Sequence, residues 1–229
     1  MKIDIKRGEE IVSYETPLLD VTLLEILNFI KKEQDSSLAY ASDCRSSVCG
    51  SCAVRVNGKE QLACAYKPQE GDLIEPLRNA PVLRDLVVDM GKAYSFNRVA
   101  NAWVKPSEEN VHVSKEDAHR NEVQSDCILC GSCYSACPVY AVNTEFIGPF
   151  ALTRAWKYVA DVRSTDITQT IAAVQTKGIY DCTLCGECVP VCPQGIAPKQ
   201  DIVMLKNKSG VMGYMDPSFA AGFGGGLSF

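Results

Sequence analysis

Twelve cysteines are the residues of this sequence best suited to chemistry, and they fall into three tight groups. The first is Cys44, Cys49, Cys52 and Cys64. The second is Cys127, Cys130, Cys133 and Cys137, and the third is Cys182, Cys185, Cys188 and Cys192. Thiols form disulfides, act as nucleophiles or ligate soft metals. Six disulfides would suit a secreted scaffold. Against that, Met1 to Glu10 alternates charged and apolar residues and lacks the apolar run of a signal peptide. Tight grouping also suits chelation better than cross-linking. Lone cysteines are often buried small hydrophobes, but that reading does not place every thiol in a ligand-spaced set with none left over.

The first group reads C-x4-C-x2-C, then eleven residues, then Cys64. That opening is the spacing of plant-type 2Fe–2S ferredoxins. A small cluster needs a loop whose N–H groups approach its sulfides, and Arg45-Ser46-Ser47-Val48 with Gly50-Ser51 is such a loop. A zinc ribbon would more usually show paired C-x2-C knuckles. The other two groups both read C-x2-C-x2-C-x3-C-P, ending at Pro138 and Pro193. This is the two-cluster bacterial ferredoxin run, in which the fourth cysteine ligates the other cluster. The spacing therefore predicts one 4Fe–4S cluster on Cys127, Cys130, Cys133 and Cys192. It predicts a second cubane-type cluster on Cys182, Cys185, Cys188 and Cys137.

The elements that must hold these groups differ between the two halves. Lys2 to Lys6 and Ile11 to Thr16 read as strands. A helix follows, opened by a Thr22/Glu25 capping box and striped by Leu23, Leu24, Leu27 and Ile30. Ala53 to Val56 and Lys59 to Cys64 read as a hairpin around Asn57-Gly58, and Asp72 to Glu75 as a short strand. Pro81 to Met90 reads as a short amphipathic segment with Leu83, Leu86 and Val87 inward. Lys105 to Asp117, with Glu108 and Glu109, reads as a polar linker. Phe150 to Arg163 has Leu152, Trp156 and Val159 at helical spacing. Thr165 to Lys177 has Ile167, Ile171 and Val174 on one face and stops at Gly178. From Gly210 the chain becomes a glycine-rich tail, either disordered or wrapped on a partner. The expected class is α+β: a β-grasp 2Fe–2S ferredoxin domain over residues 1–100, then an α-helical dicluster ferredoxin domain over residues 101–229.

The net charge of −5 argues against nucleic acid as a partner. No stretch approaches the roughly 18 apolar residues that would span a bilayer. His112 and His119 read as solvated rather than as ligands or proton shuttles, and Trp103 and Trp156 as core or interface aromatics. Arg45 either tunes the first cluster or is solvated. No phosphate loop, nucleophile motif or flavin fingerprint is present. Clusters move single electrons, so three in series form a wire that needs a partner at each end.

A 2Fe–2S β-grasp domain followed by a dicluster domain resembles the iron–sulfur subunit of succinate dehydrogenase and fumarate reductase, over nearly the whole chain. Cys44-Arg45, Cys49-Gly50-Ser51-Cys52, Pro81 to Met90, Cys127-Ile128-Leu129-Cys130-Gly131 and Phe146-Ile147-Gly148-Pro149 carry the likeness. The resemblance implies a partner flavoprotein subunit holding FAD, and electron passage through 2Fe–2S and the two further clusters to a quinone. It implies docking, peripheral to the membrane on its cytoplasmic face, on a membrane-anchor or cysteine-rich quinone-linked subunit; a periplasmic place by co-export is the alternative. Three departures stand out. Most members lack the cysteine matching Cys185 and carry a 3Fe–4S third cluster, whereas here a 4Fe–4S centre is expected, the alternative being 3Fe–4S with Cys185 an unused thiol. Val139-Tyr140-Ala141-Val142 follow Pro138 where the succinate:ubiquinone branch has tryptophans, and Thr183 stands where that branch has histidine. The pattern is more similar to the minority group with a third 4Fe–4S centre. A free ferredoxin-like carrier, or the electron-transfer subunit of a heterodisulfide- or glycolate-type flavin enzyme, is the competing reading.

Overall fold

The computed structural model describes residues 1–105 and 110–217. The expected acidic pair Glu108-Glu109 and the last glycines of the tail lie outside the described residues. The first half is a five-stranded mixed sheet crossed by one helix. Its strands are β1 (Lys2–Arg7), β2 (Glu10–Glu15), β3 (Ala53–Val56), β4 (Lys59–Leu62) and β5 (Leu73–Glu75), in the order β2-β1-β5-β3-β4. β1 and β5 run parallel, with Asp4 opposite Leu73 and Ile5 opposite Ile74; the other neighbours are antiparallel. Alternation puts Ile3 and Ile5 on the inner face, where they meet Leu27 and Ile30 of α1 (Leu23–Glu33) and Ile74 of β5. The capping box forms: Thr22 N–H donates to Glu25 Oε2 at 2.8 Å, and Glu25 N–H to Thr22 Oγ1 at 3.3 Å. The β3–β4 turn places Asn57 at φ 48° and Gly58 at φ 81°, as a type I′ turn requires.

Residues 82–88 depart from the expected amphipathic segment. They form a two-stranded ribbon, β6 (Val82–Arg84) and β7 (Val87–Val88), with a bulge. A ribbon alternates at period two, so the helical stripe fails: Leu86 is buried and Val87 half-buried, but Leu83 is 65% exposed. Asp85, in its turn, anchors the ribbon. The Arg7 Nε and Nη2 groups each donate to it at 3.1 Å, and the Ala39 N–H donates at 2.8 Å. Arg7 also pairs with Asp35. Burial pushes the Asp85 carboxyl up, but Arg7 and the Ala39 N–H more than offset this and hold it below the usual carboxylate range. Asp85→Asn is expected to lower unfolding free energy by about 2 kcal/mol at neutral pH, because a buried pair loses one partner while Arg7 keeps Asp35. A depressed acid stabilises above its ordinary value and loses that contribution as pH falls through the lowered one. Denaturant titrations should therefore show the two proteins converging in acid.

The second half is helical: α2 (Gly91–Val99), α3 (Lys115–His119), α4 (Glu122–Ser125), α5 (Ser132–Ser135), α6 (Pro138–Val142), α7 (Pro149–Val159), α8 (Thr168–Ala173) and α9 (Pro198–Val211). Its core gathers Phe96, Tyr134, Phe146, Ile147, Phe150, Leu152, Ile171 and Leu205. Although α2 lies within the first hundred residues, its Ala93 and Phe96 belong to this second core. Two expected helices are shorter than their periodicity. α7 ends at Val159, and Asp161 then takes both the backbone and side chain of Arg163. α8 ends at Ala173, after which Lys177 adopts φ 55° and its carbonyl accepts from Ile147 N–H at 2.6 Å; the left-handed residue is Lys177, not Gly178. Gly210 lies inside α9 rather than in a tail. Trp156 packs on the core, while Trp103 is largely exposed.

Candidate functional site: three thiol clusters

The crossed pairing expected from spacing has a geometric counterpart. One cavity is lined by Cys127, Cys130 and Cys133 together with Cys192. Another is lined by Cys182, Cys185 and Cys188 together with Cys137. Each thus takes three thiols from one loop and the fourth from the other. Among the described residues no three ligating side chains converge closely enough for a single metal ion. The thiols instead ring a space, which fits a cluster whose iron atoms each take one thiolate. The site residues present therefore fit cubane-type groups.

The two loops also share a backbone. Leu129 and Leu184 have φ 55° and 58°, and Gly131 and Gly186 have φ 83° and 92°. A leucine in the left-handed region costs on the order of 1 kcal/mol. Its recurrence at the same step of both loops shows that the conformation is imposed by the site rather than by residue preference. Cys185 stands at the step that Cys130 occupies in the first loop, and it is the only one of the twelve that is exposed. The Tyr140 and Leu184 N–H groups donate to Cys137 and Cys182 Sγ, each at 3.4 Å.

The first group lies on the loop before β3 and on the turn after β4. Hydroxyls attend its sulfurs: Ser47 Oγ is 3.5 Å from Cys64 Sγ, and Ser51 Oγ is 3.1 Å from Cys49 Sγ. Ser46 N–H donates to Cys44 Sγ at 3.4 Å. The Ser51 hydroxyl lowers Cys49 to about 7, whereas burial pushes Cys52 up to about 11. In the helical half burial dominates. It raises Cys127, Cys130, Cys133, Cys137 and Cys182, and it pushes Cys188 up to about 12. Such thiols stay protonated when free, so metal loading must displace their protons.

The two halves meet where the thiol loops meet. Gly50, at φ 74°, lies against the second loop so closely that a Cβ there would be 2.7 Å from Cys130 Cβ and 3.0 Å from the Ile128 carbonyl. Gln194, two residues past Cys192, donates from Nε2 to the Ser47 carbonyl at 3.0 Å. Ser135 Oγ donates to buried Glu60 at 2.7 Å and accepts from Arg78 N–H at 2.9 Å. Asn79 Nδ2 donates to the Tyr134 and Ser135 carbonyls. Gln194 and Glu60 carry no motif and were not foreseeable as seam residues; Ser47 and Ser51 were visible only as small loop residues. His112 and His119 are exposed, outside both thiol cavities, with His119 Nδ1 2.6 Å from Glu122 Oε2. Arg45 is exposed.

Comparison with known proteins agrees with this arrangement. Residues 3–95 match a 2Fe-2S iron-sulfur cluster binding domain, and residues 123–196 match a 4Fe-4S dicluster domain. The chain is 36% identical over 220 residues to the 8-methylmenaquinol:fumarate reductase iron-sulfur subunit of Wolinella succinogenes, covering 88% of this chain and 69% of that one. It is 35% identical over 228 residues to the fumarate reductase iron-sulfur subunit of Haemophilus influenzae, covering 90% and 89%. A chain of the Mycobacterium smegmatis Sdh1 complex superposes with a TM-score of 0.83 at 25% identity, covering 93% of this chain and 97% of that chain. A β-grasp half with one thiol set, a helical half with two crossed sets, and these relatives over most of its length place the chain in the family of succinate dehydrogenase/fumarate reductase iron–sulfur subunits, which transfer electrons within an oxidoreductase complex.

Proposed function

We propose that this subunit carries electrons between FAD on a partner flavoprotein and a quinone-linked partner, through three clusters held by all twelve cysteines. Cys44, Cys49, Cys52 and Cys64 hold the 2Fe–2S cluster. Cys127, Cys130, Cys133 and Cys192 hold a 4Fe–4S cluster, and Cys137, Cys182, Cys185 and Cys188 hold the third. When bound, such clusters accept and pass on one electron at a time. The contact of Gly50 with Cys130 is the observation that carries this reading, because it puts the first thiol loop directly on the second. Cys133 and Cys188 then share one buried core, which continues the path to the third set. No helix among the described residues is long and apolar enough to cross a membrane. In this reading the chain reaches a quinone through an anchor or cysteine-rich subunit and is peripheral to the membrane, on its cytoplasmic face or, by co-export, on the periplasmic one. The relative named for 8-methylmenaquinol supports a quinol as the donor.

The third centre is 4Fe–4S, in the minority branch of the family. The backbone equivalence of Cys185 with Cys130 supports this, as does its place in the cavity beside Cys137, Cys182 and Cys188. The native complex, examined by EPR as isolated and after dithionite, should lack a strong oxidised 3Fe–4S signal and show two interacting reduced 4Fe–4S centres. Cys185→Ile should create the 3Fe–4S signal; an unaltered spectrum would show that Cys185 is not a ligand.

A further inference from the structure

One buried acid is hydrogen-bonded to the wall of one cubane site and serves neither site as a ligand. Asp201, on α9, is 2% exposed. Its carboxylate accepts from Gln124 Nε2 and from Thr153 Oγ1, each at 2.7 Å. Pro198 on the same helix, with Thr153, lines the cavity of Cys127, Cys130, Cys133 and Cys192. Lys199 and Ile202, on either side of Asp201, line the cavity of Cys137, Cys182, Cys185 and Cys188. The acid is therefore bonded to the wall of the first site, on a helix that lines both.

The charged groups on the surrounding elements are engaged elsewhere. On α7, Arg154 donates to the Tyr158 hydroxyl, and the Lys157 ammonium lies over the Tyr158 ring. On α4, Glu122 pairs with His119. Beyond α8, Lys177 pairs with Glu145. On α9 itself, Lys206 donates to the Cys182 carbonyl and lies over the Tyr180 ring, Lys199 lines the far cavity, and Lys208 is two turns away. Among the described residues no salt bridge includes Asp201. Burial pushes its carboxyl up to about 6, and the two hydrogen bonds only partly oppose this. A brace between α4, α7 and α9 needs a hydrogen-bonding side chain but no charge, and an unpaired buried charge costs stability.

A cluster bound by four thiolates is an anion and gains a further negative charge on reduction. A neighbouring buried carboxylate feels that charge strongly, because little solvent screens it. We propose that Asp201 is a redox-linked proton acceptor for the cluster held by Cys127, Cys130, Cys133 and Cys192. It takes one proton from solvent when that cluster gains one electron from a neighbouring cluster, and it returns the proton when the electron moves on. The proposal rests on the ligand assignment above.

The test is an EPR-monitored redox titration of the native complex between about pH 6 and 9, beside the same complex carrying Asp201→Asn. In the unaltered complex the ratio of reduced to oxidised cluster at one fixed potential should fall on the order of tenfold across that range. Asp201→Asn, which mimics the protonated acid, should stay near the acid limit throughout. Equal pH dependence in both would overturn the proposal. If the variant does not assemble, reduced-minus-oxidised infrared spectra of the unaltered complex decide. A protonated-carboxyl band that appears on reduction and shifts in heavy water is expected, and its absence would overturn the proposal. A missing reduced 4Fe–4S EPR signal in the unaltered complex would overturn the ligand assignment, and the proposal with it.

Discussion

Gly148→Ala is expected to destabilise the helical half by about 4 kcal/mol or more, enough to unfold a marginal domain and strip both of its clusters. Gly148 caps α7 with φ 86° and ψ 172°, a backbone region essentially closed to other residues. Its missing Cβ would lie 2.1 Å from Tyr134 Cε1 and 2.6 Å from its hydroxyl oxygen. The ring cannot swing away. Tyr134 is 1% exposed, sits edge-on to Tyr140 with centroids 4.8 Å apart and tilts against Phe150 at 4.5 Å. Its hydroxyl is also bonded to the Ile147 carbonyl. Strain and overpacking therefore add at one place. Chemical denaturation of the purified complex and its iron content are the measurements. A loss below about 1 kcal/mol would mean that the Tyr134 packing can yield.

Gly50→Ala should act on the junction between the halves. Its Cβ would meet Cys130 Cβ at 2.7 Å and Cys130 Cα at 2.8 Å, and the residue needs φ 74°. Backbone atoms of a ligand loop cannot move aside as the end of a flexible side chain can. The first loop must therefore lift away, stretching the Gln194–Ser47 and Ser135–Glu60 hydrogen bonds. A penalty of about 3 kcal/mol is expected at the seam. Both EPR signals should persist, while electrons pass more slowly from the first centre to the second in rapid-freeze experiments. Amide exchange should quicken at residues 44–52 and 128–131. Unchanged exchange there would refute the close-contact account.

The thiol sets were legible in the sequence because ligand spacing is a local property and each loop must wrap its own cluster. The gathering of Cys192 with the second run and of Cys137 with the third was an expectation of the repeated run, which ends in C-P at Pro138 and Pro193, and both cavities show it. Local chemistry also revealed the capping box at Thr22 and the Asn57-Gly58 turn. What failed was non-local. The order of the strands joins β1 to β5 across most of the first half, which no pattern in either strand announces. α9 escaped because its buried side includes Asp201 and Ser209 beside Ile202 and Leu205, which blurs the apolar stripe. The partners that satisfy Asp201, Gln124 and Thr153, come from other helices. The ribbon at residues 82–88 misled because its apolar residues suggested a buried stripe, while Val82 and Leu83 face outward.

The exchange of Cys137 and Cys192 between the two cavities has a consequence for biosynthesis. A ribosome makes Cys127, Cys130, Cys133 and Cys137 long before Cys192. Under the crossed ligand set, neither cubane can acquire its fourth thiolate from a nascent chain until both runs have left the exit tunnel. Iron delivery is thereby postponed until the helical half is almost fully translated, and incomplete chains are denied a finished cubane. Once loaded, the segment between Cys137 and Cys182 becomes part of a covalent ring closed through iron. A protease that nicks that segment would leave two fragments still joined, separable only after chelation.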